Sequence, residues 1–238
     1  MNAAPCPDPD APDTPGKAAA PTAPVSQRGT LNRRKVLAAA VQVIDAEGLR
    51  EFTLKRVAQR FGVDAMALYH YVHSREDLLD GIVEFVIDDL YGDPEVHRDT
   101  DDWRDYLIRL AHGVRRIALA HPQVFPLIAT RPAAAPWIRP PLRSLRWMES
   151  FLDTMSRSNF DDEASVAAYR AFSSFLLGHL LLEGSIEQKP PGKPDPTDLA
   201  GYPNLQRLQP QLSADRSAEE FEQSLNNLIE RLNAYAHH

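Results

Sequence analysis

Residues 48–79 read GLREFTLKRVAQRFGVDAMALYHYVHSREDLL, and the spacing inside this stretch decides what the chain can fold into. Thr53 stands where a helix N-cap belongs, with a hydroxyl able to accept an amide hydrogen of the first turn. Leu54, Val57, Ala58 and Phe61 follow at helical intervals, and Gly62 ends the segment. Residues 63–71 give a third short helix. Ser74 opens a fourth, with Asp77 three positions on as a shorter analogue of the capping box. Helices that cross near a right angle through a tight turn need a residue at ease with positive φ, and Gly62 supplies it. Ala58 is small enough for the next helix to approach closely. Val57, Phe61, Val63 and Leu68 are the expected shared core. The pattern is that of a helix-turn-helix.

In such a unit the helix after the turn enters the major groove, so Asp64, Ala65 and Met66 are expected near base edges. The small Ala65 and Ala67 permit close approach, including to thymine methyls. Asp64 has two readings: it accepts from a cytosine amino group, or it caps its own helix. Tyr69, His70 and Tyr71 fall near the phosphates, where phenolic hydroxyls donate. Taken singly, each tyrosine is equally well explained by packing, and His70 could face DNA, solvent or the tyrosines. Thr53, Lys55, Ser74 and Arg75 lie at helix starts, where free backbone N–H groups attract phosphate.

The charge distribution agrees. The net charge is −7, yet residues 28–75 carry nine Lys/Arg against four Asp/Glu, and residues 76–238 carry sixteen against twenty-six. A basic block on an acidic body suits one polyanion-binding face and a remainder that avoids it.

The rest of the chain is helical by pattern. Residues 1–27 are a Pro/Ala-rich tail, expected to be disordered because it has too little apolar area to offset its ordering entropy. Leu37, Val41 and Ile44 mark a first helix stopped by Gly48. The fourth runs through Leu78, Ile82 and Phe85 to about Tyr91. Beyond it, Trp103 to Ile117 and Leu142 to Met155 form apolar stripes, with Arg131 to Pro141 between them as a loop or broken helix start. Asp161 is the expected cap of a helix apolar on most sides, as in helices buried between others or at an interface. Residues 187–203 read as a mobile loop. Ser217 with Glu220 is a capping box that opens a last helix, with Phe221, Leu225, Leu228, Ile229, Leu232 and Tyr235 on one face. The expected fold class is all-α. Residues 28–91 form an N-terminal three-helix unit joined by its fourth helix to a larger helical part, residues 92–238. The longest apolar run, residues 175–182, is too short for a bilayer, and the lone Cys6 cannot form an internal disulfide, so a cytoplasmic protein without membrane contact is expected.

These residues resemble the N-terminal domain of the tetracycline-repressor (TetR) family of bacterial regulators. The resemblance covers about residues 31–91, through Gly48, the Thr53-x-Lys55-Arg56-Val57-Ala58 run, Gly62-Val63, Leu68-Tyr69, Tyr71-Val72, Arg75 and Leu78-Leu79. It implies phosphate contacts by Thr53 and Tyr69, base contacts by Lys55 and residues 64–66, and an Arg75 that anchors the fourth helix on the DNA backbone. The candidate DNA-contact set is Thr53, Lys55, Arg56, Asp64, Ala65, Met66, Tyr69, His70, Tyr71, Ser74 and Arg75.

DDWRDYLIRLAHGVRR, AHPQVFPLIATRP and SSFLLGHLLLEG are similar to the ligand-binding part of the tetracycline-repressor branch itself. This implies a homodimer through two helices, residues 161–186 and 217–235, operator DNA as partner, and a small-molecule effector that releases it. Candidate interface residues are Phe175, His179, Leu225, Leu228 and Leu232. Candidate residues for a largely apolar effector are His112, Trp137, Trp147, Phe172, Phe175 and His179. The chain departs from that branch at the ligand. Leu127 stands where a histidine holds the magnesium of a tetracycline chelate, and Leu182, followed by Glu183, stands where a glutamate is needed. A metal-tetracycline ligand is therefore not expected, nor is any metal or cofactor, since the His179–Glu183 pair offers too few ligands and reads as a structural or interface hydrogen bond. The other classes are a ligand-responsive activator, a helical interaction module and a small-molecule enzyme. No nucleophile–base pair or phosphate-cradling glycine loop supports the last.

Overall fold

Side-chain caps set the boundaries of the first four helices in the computed structural model of the chain. It describes residues 31–96, 100, 102–131, 145–187, 199 and 201–235, with the side chains of 186 and 187 left aside. In α1, Arg33–Glu47, the Asn32 side chain accepts from Lys35 N–H, and Gly48 N–H closes the far end on Ile44. Thr53 caps α2, Leu54–Phe61. Gly62 follows at φ +63, ψ 30; its N–H reaches the Gln59 carbonyl and Val63 N–H the Ala58 carbonyl. That pair of bonds is the Schellman arrangement, and a Cβ would strain it through the backbone alone, since nothing lies within 4 Å of one. Asp64 caps α3, Ala65–Leu68, and Ser74 caps α4, Arg75–Tyr91.

Two expectations here need correction. The third helix covers four residues rather than residues 63–71. After it, Tyr69 N–H and Tyr71 N–H bond three residues back, to Met66 and Leu68, so the chain tightens into turns. Val63 is 38% exposed and not in the shared core, because it sits past the left-handed turn. The core of this region is instead Phe52, Val57, Ala58, Leu68 and Val72 on α1's Val43 and Ile44.

Six more helices complete the described residues: α5 Trp103–Ala120, α6 Phe125–Thr130, α7 Leu145–Arg157, α8 Asp162–Glu187, α9 Pro203–Leu212 and α10 Ser217–Asn233; no strand occurs among these residues. α8 is the hub, packed by α5, α6, α7 and α10. Phe151 of α7 centres an aromatic core, with ring centroids 5.8 Å from Trp147 and Tyr169 and 5.7 Å from Phe172. α4 serves two groups of helices, packing on α1 and also on α5 and α6. Gly113 of α5 allows this joint, because a Cβ there would lie 2.7 Å from Leu90 of α4 and 2.6 Å from Val96.

Ser217 does not cap α10. Asp215 accepts both the Ser217 hydroxyl and its N–H, which leaves Arg216 at the cap position. α9 buries no residue, so no apolar stripe marks it in the sequence. α8 is long and apolar enough over Asp162–Ser185 to cross a membrane by length and composition, although the shorter run within it is not. Its buried stripe, including Phe172, Leu176 and Leu180, belongs to the helical core, and Glu183 within it is ion-paired. The tail, the Arg131–Pro141 loop beyond Arg131, most of the residue 187–203 loop and Trp137 lie outside the described residues.

Candidate nucleic-acid interface and effector cavity

Three consecutive cap structures present the candidate DNA contacts. Thr53, Lys55 and Arg56 are exposed at the start of α2. The Thr53 hydroxyl accepts from Arg56 N–H at 3.3 Å, and the Arg56 guanidinium lies 3.4 Å from Glu47. Asp64 Oδ1 accepts Met66 N–H at 2.8 Å, so this carboxylate caps α3. Met66 is 70% exposed and Tyr69 45%. His70 is exposed, while Ala65 and Tyr71 are half-buried. Ser74 Oγ accepts Asp77 N–H at 3.0 Å, and the Arg75 guanidinium lies 5.9 Å from the Phe52 ring centroid. That contact brings the starts of α2 and α4 together, which their separation of twenty-one residues in sequence conceals.

A clasp that the sequence did not reveal fixes the segment between them. The Arg33 guanidinium of α1 donates to the Tyr71 carbonyl at 2.8 Å and to Asp77 Oδ1 at 2.8 Å, and Asp77 Oδ2 accepts His73 N–H at 2.7 Å. Arg33 holds the Asp77 carboxyl below the usual aspartate range, with help from the His73 amide against the effect of burial. The backbone of residues 71–77 is thus tied to α1 at two points. The basic block is also narrower than its count suggests. Arg33, Arg34, Arg56 and Arg75 each have an acidic partner within 4.0 Å, whereas Arg50, Lys55 and Arg60 form no ion pair among the described residues.

Below this region lies an apolar cavity of about 60 Å³. α4 contributes Val86, Ile87 and Leu90, with Ile117 of α5, Phe125 and Ile128 of α6, and Trp147 of α7 among the other walls; Ser173 of α8 is the polar side chain among them. Of the five candidate effector residues that are described, Trp147 alone is in this wall. Phe172 is buried against Phe151 outside it. His112, Phe175 and His179 gather elsewhere, around Phe221 of α10, with ring centroids 5.8, 5.8 and 5.4 Å from it. The α4 and α6 walls were missed because their residues look like any helix core; the IATRP run that ends α6 was the available signal.

The expected interface residues divide as well. Phe175, His179 and Leu228 are half-buried, but Leu225 and Leu232 are 1% and 0% exposed. Those two pack into their own protomer's core and cannot also face a second chain. Glu183 pairs with Arg115 of α5, at 2.5 and 3.2 Å, rather than with His179.

Two polar bridges connect α5 and α6 to the first four helices. His121 Nδ1 lies 2.6 Å from Asp45 of α1. Arg131, the C-cap of α6, donates to Glu76 Oε2 at 2.7 Å and to Asp80 Oδ1 at 2.8 Å. Arg131 holds the Glu76 carboxyl below its ordinary range. Glu76 also lies 3.4 Å from Arg75, so one carboxylate touches both the α6 arginine and a candidate phosphate contact.

Comparison with known proteins accords with this architecture. The family described as bacterial regulatory proteins, tetR family, matches residues 36–82, and the family described as tetracyclin repressor-like, C-terminal domain, matches residues 95–235. An HTH-type transcriptional regulator of Saccharopolyspora erythraea is 28% identical over 154 residues, or 64% of this chain and 61% of that protein. The chain thus matches less than two thirds of that relative's length. The class C tetracycline repressor of Escherichia coli is 29% identical over 160 residues, covering 66% of this chain and 68% of the repressor. A possible TetR family transcriptional regulator from Streptomyces coelicolor superposes with a TM-score of 0.70 at 28% identity, covering 85% of this chain and 99% of that one. With both halves matched in order and the helix-turn-helix geometry in place, the chain belongs to the tetR family of bacterial regulatory proteins.

Proposed function

We propose that the protein is a homodimeric, non-enzymatic transcriptional repressor of the cytoplasm that binds a near-palindromic operator and is released by a small molecule. Residues 28–91 read DNA in this account, and residues 92–238 hold the effector and the dimer interface. One observation carries the proposal: α4 bears Ser74 and Arg75 at its start and walls the apolar cavity with Val86, Ile87 and Leu90 further along. A molecule that enlarges the cavity therefore presses on the helix that positions the DNA contacts. Thr53, Tyr69, Ser74 and Arg75 take phosphates, while Lys55, Ala65 and Met66 face bases. Arg56, His70 and Tyr71 flank them. Asp64 acts through its cap. The second copy covers the outer faces of α8 and α10, where Val166 and Leu182 are 40% and 68% exposed and Leu228 is half-buried.

Fluorescence anisotropy with a duplex enriched by the protein from a random-sequence pool tests this. With about six phosphates engaged, affinity should fall roughly 10³-fold between 50 and 200 mM salt. A flat salt response would falsify direct phosphate engagement.

A further inference from the structure

The tetracycline branch implies a metal-chelated ligand, and the residues here do not fit one. Leu127, in the histidine's place, is apolar and 5% exposed, and Leu182, in the glutamate's place, is 68% exposed. The adjacent Glu183 is 5% exposed and committed to Arg115. Among the described residues no group of three or more His, Cys, Asp or Glu side chains is placed to hold a metal ion.

The geometry points to an effector of different chemistry: a neutral, metal-free, mainly hydrocarbon molecule with an aromatic ring. This rests on the proposed effector role of the cavity. Five helices wall the cavity, and no charged side chain is among its described lining residues. A carboxylate or ammonium placed there would lose its water with nothing to replace it, and an unpaired buried charge is far more costly than a buried hydrocarbon. Phe125 and Trp147 offer aromatic surface, which suits edge or offset stacking with a planar ring. Ser173 is 1% exposed, and its hydroxyl adds no polar surface to the cavity wall.

Size sharpens the inference. The cavity's 60 Å³ is far below the roughly 300–1,000 Å³ of sites for drug-sized ligands, so such an effector enlarges it on entry. A more open hollow of about 250 Å³ over Arg115, Glu183 and the first turn of α10 is the competing place for a charged ligand. Four of its charges pair internally, Arg115 with Glu183 and Arg216 with Glu219, while the Asp215 carboxylate accepts from Ser217.

The test uses the full chain and probes of one shape: naphthalene, naphthol, naphthoate and naphthylmethylammonium, with magnesium-tetracycline beside them. Equilibrium dialysis reads binding, and anisotropy of the enriched duplex reads release. Naphthalene and naphthol should bind and release DNA, with the two charged probes weaker by at least about 100-fold and the tetracycline chelate silent. Equal binding of a charged probe or of the chelate overturns the proposal, as does failure of both neutral probes to bind. Neutral probes that bind in the expected order without releasing DNA uphold the cavity's chemistry and sink its effector role, so the two failures are told apart.

Discussion

Asp77 contacts no candidate DNA residue through its carboxylate except by way of backbone, yet its loss should weaken both the fold and DNA binding. It accepts from Arg33 and from His73 N–H, and Arg33 also holds the Tyr71 carbonyl. The ion pair is partly solvated, with the two side chains 42% and 27% exposed, so its Coulombic part is worth only about 0.2–1 kcal/mol. The charged hydrogen bond to the His73 amide adds more, and Asp77→Ala should cost about 1–2 kcal/mol in all. For a chain of this length that is a fall of about 2–8 °C in Tm. If the freed energy reappears as disorder of residues 71–75, operator affinity drops roughly 5- to 30-fold. Thermal melts of Arg33→Ala, Asp77→Ala and the double variant give the coupling directly, and at least about 0.5 kcal/mol is expected. The pH dependence has a defined sign. Asp77 is held below its ordinary value, so its stabilisation is complete above about pH 4–5 and fades as pH falls through the lower folded value. The gap between wild type and Asp77→Ala should therefore be constant from neutral pH down to about 5 and close below about 4. Additive single variants, or a gap that widens in acid, would refute the clasp.

Three further outcomes are expected. Arg115→Ala leaves Glu183 buried without its guanidinium and should destabilise the protein by about 3–5 kcal/mol in urea melts, whereas Arg115→Met with Glu183→Leu should recover most of the loss; equal damage from both would remove the desolvation argument. Gly62→Ala should cost about 1 kcal/mol through its φ of +63 alone, because the site has open space, and unchanged stability would show that the turn relaxes. Leu228→Asp, half-buried on α10, should halve the mass seen by light scattering, and an unaltered mass would place the dimer interface elsewhere.

The second and fourth helices, and the cap of the third, were legible in the sequence because their boundaries are local. Thr53, Asp64 and Ser74 each bond an amide two or three residues away, and Gly62 answers a backbone angle at its own position. Such interactions need only the order of residues along the chain. The single-faced pattern of α10 was also visible, but which neighbour it packs against was not, and so Leu225 and Leu232 were placed on an outer face that they do not occupy. A periodicity of 3.6 marks an apolar stripe without saying what covers it.

Only the tertiary structure decided the contacts that join distant segments. Arg33 meets Asp77 across forty-four residues, Arg131 meets Glu76 across fifty-five, and Arg115 meets Glu183 across sixty-eight. A surface arginine and a clasping arginine are the same letter until the packing of helices sets which carboxylate lies within 3 Å. The cavity follows the same logic. Its walls are ordinary core residues of five helices, and the space between them depends on how those helices are spaced. The sequence by itself determined a tetR-type reading head and an all-helical body. The fold decided that α4 is shared by both and that the apolar cavity has no charged side chain among its described walls.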